Sequence, residues 1–444
     1  MSRRPPVALI LAAGRGERMN SSLPKVLHEA CGVTLLGHVL ETVREAGIKR
    51  VSVVVGAGAG QVRSFLRESS GGIARSGNPL RFRRLETVSQ TNRLGTAHAV
   101  LQAEPRLRHW QGDVLILPGD APCLRAETVR QFISDHRKSG RVASVLTAEV
   151  AAPDGYGRIL RRGDEVVGIR EERDATEAER KISEVSSGVY LFRAPQLFRQ
   201  LRKIKKNATK QEYYLTDVME MFARSGQCVR AHRIDDGREI LGVNTRRELA
   251  LADQILRGQE LERHAQNGVT ILDPAQTYIA KGVVIGGGTI IHPFTWVERD
   301  VRIGQDCEIG PFAKIRSASR IHDRAAIGSF VEVARSEIGE KTCVKHLSYV
   351  GDARIGKGVN IGAGTITANF DGRKKNRTVV EDRALVGCDT VLVAPVRVGR
   401  GAKTGAGSVV LARQTVPRGE TVVGIPAHVV GKKHKGRKRV LKLT

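Results

Sequence analysis

An aliphatic residue recurs at every sixth position through much of the second half of the chain, and this period constrains the fold more than any other feature. Strands repeat every two residues and helices every 3.6, so a period of six indicates neither an ordinary sheet nor a helix. Six-residue repeats are typical of a parallel β-helix, which buries one branched side chain per repeat. The longest unbroken run comprises Ile279, Ile285, Ile291, Val297, Ile303, Ile309, Ile315, Ile321, Ile327 and Val333.

The repeat is irregular in three places. It slips by one residue between Val333 and Ile338 and again between Val350 and Ile355, and the segment NFDGRKKNRT (369–378) interrupts it before Val380. A solvated corner loop is one interpretation of this interruption. The other interpretation is a functional loop that projects from the β-helix, because interruptions of regular solenoids often carry a binding site.

The chain before residue 245 has a different pattern. Residues 7–11, 51–55 and 114–117 are predicted to form buried strands, and the spacing of Leu36, Val39, Leu40 and Val43 predicts a helix. Strand, loop and helix in this order predict an α/β domain with a mostly parallel sheet and a ligand crevice at the strand carboxyl ends. The predicted organisation is an α/β domain at 1–246, a linker helix at 247–267, a β-helix at 268–428 and a basic tail at 429–444.

The chain is strongly basic. Its 73 lysines and arginines against 46 acidic residues give a net charge of +27 in 444 residues, which favours anionic small molecules or nucleic acid as partners. The most basic segment is KKHKGRKRVLK (432–442), which is either a solvated end or a contact for RNA or a membrane surface. Aromatic residues make up only 4% of the chain, so it offers few stacking platforms for single strands, and nucleic acid is an unlikely partner.

The cysteines argue for a reducing compartment. All six are scattered without a CxxC pair, so neither a zinc site nor a disulfide framework is predicted. The sequence contains no apolar run of the roughly 18–20 residues that a membrane span needs. A short apolar segment near the start leads directly into a glycine-rich loop and is not interpreted as a signal peptide. The predicted location is the cytoplasm.

The glycine-rich loop LAAGRGERM (11–19) supplies backbone N–H groups that can approach phosphate, and Arg15, Arg18 and Lys25 add positive charge. It fits neither the phosphate loop of NTPases nor the dinucleotide-binding fingerprint. The full string LAAGRGERM…LPKVLHEACG resembles the signature of sugar-1-phosphate nucleotidyltransferases. Later motifs follow in that family's order: QTNRLGTAHA (90–99), PGDAP (118–122), DGYGRI (154–159), EYYLTD (212–217) and GVNTR (242–246).

Two further motifs, HLSYVGD (346–352) and NIGAGTITANFDG (360–372), extend the resemblance to nearly the whole chain. The chain resembles the bifunctional N-acetylglucosamine-1-phosphate uridylyltransferase/glucosamine-1-phosphate N-acetyltransferase family, which makes UDP-N-acetylglucosamine for cell-wall synthesis. The resemblance implies a left-handed β-helix, a homotrimer with acyl sites between neighbouring prisms, and a Mg²⁺ cofactor. The implied substrates are acetyl-CoA, glucosamine-1-phosphate, UTP and N-acetylglucosamine-1-phosphate.

For the first domain, the resemblance implies a uridylyl-transfer site. Arg18 and Lys25 would act on the phosphates, and Asp120 and Asn244 would hold Mg²⁺. A hard cation that keeps most of its waters needs only such an oxygen or two from protein. The remaining nucleotide- and sugar-binding residues implied are Leu11, Ala12, Ala13, Gly14, Gln90, Gly95, Thr96, Gly157, Glu171 and Ser186. Ser186 stands where the family has an asparagine, which leaves the exact hexosamine open.

For the second domain, the resemblance implies an acetyl-transfer site with His346 as general base, a role that suits an imidazole titrating near neutrality. The residues implied to bind the acceptor or acetyl-CoA are Arg316, Tyr349, Asn360, Ala363, Asn369, Phe370, Lys375, Cys388 and Ala406. This half departs from the family pattern. A lysine is replaced by Ala334 with Arg335 beside it, a tyrosine by Phe370 and a serine by Cys388, and a late coenzyme-binding arginine is missing.

Three functional readings remain open at this point. The first is a two-site enzyme that acetylates glucosamine-1-phosphate and then transfers a uridylyl group. The second is a nucleotidyltransferase whose β-helix serves trimer assembly or accepts another acyl substrate. The third, from a different class, is a binder of nucleic acid or of a membrane surface.

Overall fold

The computed structural model describes residues 5–70, 82–207 and 211–430. The chain divides into two compact units, Met1–Leu256 and Arg257–Thr444, and the division lies within one helix, Arg246–Gln266. The sequence predicts a linker helix at 247–267. The basic segment 432–442 lies outside the described residues.

The first unit is built on a mixed sheet. The strands of this unit are β1 (Val7–Ala12), β2 (Glu29–Ala30), β3 (Val33–Thr34), β4 (Arg50–Val55), β5 (Arg84–Ser89), β6 (Asp113–Pro118), β7 (Ala143–Glu149), β8 (Arg158–Arg162), β9 (Glu165–Arg170), β10 (Glu184–Arg193) and β11 (Val229–Ile234). Among the described residues the strand order is β11-β7-β10-β6-β1-β4-β5, with β8 paired to β10 and β9 paired to β8. Strands β6, β1, β4 and β5 run parallel, and only β10 is antiparallel to both of its neighbours in this order.

Helices cover both faces of this sheet. Alternate residues of β1 belong to two different apolar clusters, since Ala8 and Ile10 pack in one and Val7 and Leu9 in the other. The α/β prediction for this domain is confirmed. The helices are α1 (Leu35–Glu45), α2 (Ala59–Ser70), α3 (Thr96–Leu101), α4 (Glu104–Leu107), α5 (Ala126–Ser139), α6 (Glu177–Arg180), α7 (Ala194–Leu201), α8 (Asp217–Arg224) and α9 (Arg246–Gln266).

The second unit is a prism of three parallel sheets, as the six-residue period predicts. Face 1 contains Thr270–Ile271, Ile290–Ile291, Glu308–Ile309, Ala326–Ser329, Cys343–His346, Asn360–Ile361, Leu385–Val386, Lys403–Thr404, Thr421–Val423 and an antiparallel end strand, His428–Val429. Face 2 contains Tyr278–Ile279, Trp296–Val297, Lys314–Ile315, Glu332–Ala334, Tyr349–Gly351, Ile366–Ala368, Val391–Val393 and Val409–Val410. Face 3 contains Val284–Ile285, Arg302–Ile303, Arg320–Ile321, Glu337–Ile338, Ala353–Ile355, Thr378–Val380, Val396–Val398 and Thr415–Val416.

The aliphatic residues of the period form the prism core. Ile291 from face 1, Ile315 from face 2 and Val398 from face 3 are fully buried in one apolar cluster. Most coils contribute one such residue per face, with the buried Thr367 and Thr404 at the inward position of two strands, so stacking the coils excludes water from a continuous column. The period thus follows from the geometry of the prism, in which each face takes up one six-residue repeat.

The corners of the prism explain the irregularities of the repeat. We call the corner between faces 1 and 2 the first corner and the one between faces 2 and 3 the second corner. Both one-residue slips fall at the second corner on successive coils, between Val333 and Ile338 and between Val350 and Ile355. The interruption 369–378 leaves the same corner on the next coil, because it joins the strand ending at Ala368 to the strand beginning at Thr378. All three irregularities therefore stack at one place.

The polar segment 171–181 contains short regular structure. Residues 171–181 contain a short 3₁₀ turn, Glu172–Asp174, and helix α6, which begins with a capping box between Thr176 and Glu179. In the described part of the chain, no helix is both long enough and apolar enough to cross a membrane.

Candidate active sites

The glycine loop after β1 packs directly against Lys25. Gly16 adopts a left-handed conformation with φ of 68°, and a Cβ atom built on it would lie 2.6 Å from the Cβ atom of Lys25. A larger residue here would force the loop away from the lysine. The sequence LAAGRG therefore brings the backbone of the loop close to a lysine that it helps to position.

Asp120 and Asn244 converge on one cation, the ammonium group of Lys25. Lys25 Nζ donates to Asn244 Oδ1 at 2.8 Å and to Asp120 Oδ2. The side chains of Lys25 and Asp120 are only 12% and 19% exposed, so water screens this ion pair weakly. Two oxygens that lie 124 residues apart in the chain thus share one positive charge.

The backbone around these two residues is fixed by the ends of secondary structure elements. Gly119 N donates to Leu11 O at 2.9 Å, which ties the end of β6 to β1, and Asp120 O accepts from Val243 N at 2.9 Å. Asn244 N donates to Glu248 Oε2 at 2.7 Å at the start of α9. The carboxyl end of a parallel strand and a helix start therefore meet here, which is the usual ligand position in α/β sheets.

This oxygen pair fits a hard divalent cation. A carboxylate and a carboxamide oxygen are ligands that Mg²⁺ prefers, and Mg²⁺ keeps several waters or substrate oxygens besides. Their shared contact with an ammonium group shows that both oxygens can approach one positive charge. Within the described residues no cluster of three or more His, Cys, Asp or Glu side chains could hold a metal.

A basic cleft of about 410 Å³ opens beside Lys25 and Asn244. Arg18 lines it, and so do two arginines that the sequence analysis did not name, Arg93 and Arg173. Arg15 also lines the cleft but is paired with Glu17 at 3.5 Å. Such a concentration of cations favours a polyanion of the size of a triphosphate or pyrophosphate.

Gln90 and Gly95 form one hydrogen-bonded unit at the start of α3. The buried Gln90 donates its Nε2 to Gly95 O at 3.1 Å and lies 3.1 Å from His98 Nδ1. Burial lowers the pKa of His98, so the neutral ring can accept this bond. Gly95 has φ of 98°, and a Cβ atom on it would lie 2.5 Å from Tyr213 O.

The hydroxyl of Thr96 accepts from Leu215 N at 2.9 Å and so joins α3 to the segment before α8. This contact gives the Thr96 side chain a structural role beside the nucleotide-binding role that the sequence predicts.

The predicted sugar-binding residues lie on β10 and its neighbours. Ser186 N donates to Gly157 O at 2.8 Å, and Ser186 Oγ lies 3.0 Å from the hydroxyl of Tyr190 inside the domain. Glu171 accepts from Thr216 Oγ1 at 2.9 Å. The short serine side chain is thus directed toward Tyr190.

In the prism, His346 ends a face 1 strand and is exposed at the first corner. Ala363, Cys388 and Ala406 follow later strands of the same face and lie at the same corner. His346, which the resemblance implies is the general base, and the residues implied to bind acetyl-CoA therefore share one edge of the prism. Asn360 lies on face 1 with its side chain exposed.

The residues implied to bind the acceptor lie mainly at the second corner. Asn369 Nδ2 lies 3.4 Å from the hydroxyl of Tyr349, which projects from face 2. Arg316 follows a face 2 strand one coil before Ala334 and donates to Glu332 Oε1 at 3.0 Å. No hydrogen bond within the described residues of one chain joins His346 to this group by its side chain.

The interruption 369–378 is a compact turn. Phe370 and Lys375 form an antiparallel bridge, and Asn376 N donates to Asn369 O at 2.7 Å. Asp371 accepts from the backbone of Arg373 and Lys374, and these hydrogen bonds lower the pKa of its carboxyl to about 2. The turn holds Asn369 almost buried while Phe370 and Lys375 stay exposed.

Comparisons with known proteins cover both units. Residues 8–220 match the MobA-like NTP transferase domain, and residues 300–335 match the bacterial transferase hexapeptide with six repeats. A solved UDP-glucose pyrophosphorylase complexed with UDP-glucose is 19% identical, with a TM-score of 0.48, and the match covers 57% of this chain and 99% of that one.

Curated relatives match over nearly the full length. The bifunctional protein GlmU of Pelotomaculum thermopropionicum is 42% identical over 423 residues, which is 88% of this chain and 89% of the relative. GlmU of Rubrobacter xylanophilus is 41% identical over 97% of this chain and 95% of the relative. These matches confirm the resemblance that the motifs indicate: the chain belongs to the family of the bifunctional protein GlmU.

Proposed function

We propose that this chain is a two-site enzyme that makes UDP-N-acetylglucosamine. Its prism transfers an acetyl group from acetyl-CoA to glucosamine-1-phosphate, and its α/β domain transfers a uridylyl group from UTP to the resulting N-acetylglucosamine-1-phosphate. The observation that carries the proposal is the convergence of Asp120 and Asn244 on one cation beside a basic cleft, in a chain that also folds into a hexapeptide prism.

In the α/β domain, the chemistry is a displacement at the α-phosphorus of UTP. A phosphate oxygen of the sugar phosphate attacks, the bond to the β-phosphate breaks, and pyrophosphate leaves. Such transfers depend on positioning and charge stabilisation rather than on a protein nucleophile. Arg18 and Lys25 would neutralise phosphate charge, and Gln90, Gly95 and the loop 11–14 would hold the base and ribose.

Asp120 and Asn244 would hold a Mg²⁺ ion, which when bound offsets negative charge on the nucleotide phosphates. Lys25 shares the same two oxygens, so it would shift toward the phosphates when the metal is present. Gly157, Glu171 and Ser186 would contact the sugar. Because Ser186 lies against Tyr190, the choice of hexosamine at this site is a second point to test.

In the prism, the amine nitrogen of glucosamine-1-phosphate would attack the carbonyl carbon of acetyl-CoA. His346 would accept a proton from the amine, the thioester bond would break, and the coenzyme would leave as the thiol after gaining a proton. The exposure of His346 allows both reactants to reach it. Ala363, Cys388 and Ala406 would line the coenzyme path along the same corner.

We also propose that the chain works as a homotrimer in the cytoplasm. Phe294, Phe312 and Phe330 stack along the first corner, with ring centroids 4.7 and 5.0 Å apart, and are 45–60% exposed. This apolar ridge lies along the same corner as His346, and contact with another copy of the chain would remove the three rings from water. The free state of the cysteines in the described residues supports a reducing compartment.

Two assays test the proposal on one preparation. Pyrophosphate release from UTP is expected to require N-acetylglucosamine-1-phosphate and Mg²⁺ and to be lost in Asp120→Ala. Thiol release from acetyl-CoA is expected to require glucosamine-1-phosphate and to persist in Asp120→Ala. Pyrophosphate release without thiol release in the native chain would instead support a nucleotidyltransferase whose prism serves assembly, a reading that the Ala334, Phe370 and Cys388 replacements favour.

A further inference from the structure

The second corner of the prism contains a polar network that joins Arg335, which lies outside the family motifs, to three residues within them. Arg335 donates its Nε and Nη2 to the two carboxylate oxygens of Asp352, each at 2.7 Å. Asp352 also accepts from Asn369 Nδ2, and Asn369 in turn lies 3.4 Å from the Tyr349 hydroxyl. Two of these residues, Tyr349 and Asn369, are implied acceptor-binding residues, so the network belongs to that site.

The three irregularities of the hexad repeat place these residues together. The two shortened corners carry Arg335 and Asp352 on successive coils, and the interruption of the next coil begins at Asn369. A regular solenoid keeps similar corners from coil to coil. Three altered corners on successive coils therefore indicate that this part of the prism has a role other than stabilising the fold. Arg335 and Asp352 adopt left-handed conformations, with φ of 49° and 48°, as do residues at many other corners of the prism.

The same coil explains why Arg335, rather than its neighbour, supplies the charge. Ala334 is fully buried and pairs with Gly351 on the next coil. Its methyl group carries no charge and does not reach solvent. The side chain of Arg335 is 30% exposed, shares Asp352 as a hydrogen-bond partner with Asn369, and lies near the hydroxyl of Tyr349.

Asp352 holds the guanidinium in one orientation without using all of its donors. The paired carboxylate raises the pKa of Arg335, and the arginine lowers the pKa of Asp352, so both groups stay charged at neutral pH. The bidentate contact with Asp352 uses Nε and Nη2 and leaves Nη1 outside that contact, and the hydroxyl of Tyr349 also lies near the guanidinium. A guanidinium fixed in this way loses little freedom when it binds a phosphate.

We propose that Arg335, oriented by Asp352, is the cation that binds the phosphate group of the acetyl acceptor. The inference rests on the proposed acetyl transfer and deepens it by naming the residue that recognises a phosphorylated hexosamine. Lys375, at the base of the turn, supplies a second positive charge near Asp352. Asp352 acts as a positioning residue, since it holds both Arg335 and Asn369.

The test measures binding by titration calorimetry on the full chain, with glucosamine-1-phosphate, inorganic phosphate and acetyl-CoA as separate probes. Arg335→Gln is expected to weaken binding of both phosphate probes by about tenfold to hundredfold, the range for losing a hydrogen-bonded charge. Acetyl-CoA affinity is expected to stay within about twofold, which also shows that the variant is folded. Arg335→Lys keeps the positive charge but lacks the planar set of donors of a guanidinium. Its affinity for the phosphate probes is expected to lie between those of the native chain and Arg335→Gln.

Arg354→Gln is the matched control. Arg354 lies on face 3 one coil after Arg335, is 66% exposed and contacts only Glu337, at 3.9 Å, among the salt bridges of the described residues. Its loss is expected to leave all three affinities unchanged.

Unchanged phosphate binding in Arg335→Gln would overturn the assignment, and so would an equal loss for acetyl-CoA, which would indicate a structural role. A native chain that binds neither phosphate probe would overturn it too. A native chain that binds glucosamine-1-phosphate through Arg335 but releases no thiol would overturn the acetyl-transfer proposal and leave the assignment intact.

Discussion

The contact between Lys25 and the two predicted metal ligands gives a prediction with opposite signs for two properties. In Lys25→Ala, we expect binding of Mn²⁺ without nucleotide to become tighter, whereas uridylyl transfer becomes slower. The first effect follows because the ammonium group shares Asp120 Oδ2 and Asn244 Oδ1 and a metal must displace it. The second follows because the variant lacks a cation that we propose neutralises phosphate charge.

The expected magnitude comes from the burial of this contact. With Lys25 and Asp120 at 12% and 19% exposure, screening by water is weak, and a hydrogen bond to a charged group contributes about 1.5–3 kcal/mol. Relief from this competition is expected to tighten Mn²⁺ binding by about tenfold to hundredfold. The loss of one charge-assisted phosphate contact is expected to reduce kcat/KM for UTP by a similar factor.

The assay is electron paramagnetic resonance of free Mn²⁺ during titration, with pyrophosphate release measured on the same preparations. Arg18→Gln is the control, because Arg18 lines the same cleft without contacting Asp120. It is expected to slow transfer while changing Mn²⁺ binding much less than Lys25→Ala does. Weaker or unchanged Mn²⁺ binding in Lys25→Ala would refute the reasoning.

Three further predictions concern separate parts of the molecule. His346→Ala is expected to reduce thiol release by at least about a hundredfold with pyrophosphate release unchanged, and equal loss of both would contradict the two-site reading. Burial and neighbouring carboxylates raise the pKa of Asp217 to about 6. The folded form therefore favours protonated Asp217, and ionisation of this carboxyl destabilises the folded form by about 1 kcal/mol, after solvent screening, as pH rises through about 6. Asp217→Asn should then stabilise the chain in urea denaturation at pH 8 and not at pH 4, and equal effects at both pH values would disprove this. Gly95→Ala is expected to destabilise the first unit by about 1–3 kcal/mol, more than Gly140→Ala, since both glycines have positive φ but only Gly95 lacks room for a Cβ atom.

The sequence predicted the prism well because its physical rule is local. One buried aliphatic residue per hexad sets the coil, and residues such as Ile291 and Val398 could be assigned to the core by counting alone. The α/β sheet also followed from buried strands separated by helices. The antiparallel strand β10 was harder to foresee, because direction depends on contacts with β6 and β7 that lie far away in the chain.

The candidate sites were predicted unevenly. Motifs identified Asp120 and Asn244, but only the fold shows that both reach Lys25, since their convergence depends on β6 meeting the start of α9. Arg93 and Arg173 carry no motif of their own and become candidates only as lining of the basic cleft. Asp352 could have been suspected from the slip of the hexad repeat at Val350, although a slip alone gives no partner for it.

The most direct test of two separate sites uses one mixture of glucosamine-1-phosphate, acetyl-CoA, UTP and Mg²⁺, with thiol and pyrophosphate followed together. Thiol and pyrophosphate are expected in equal amounts with the native chain and thiol alone with Asp120→Ala. Neither is expected with His346→Ala, in which the addition of N-acetylglucosamine-1-phosphate restores pyrophosphate alone. Pyrophosphate from the His346→Ala variant before that addition, or no thiol from the Asp120→Ala variant, would contradict the assignment of one reaction to each domain.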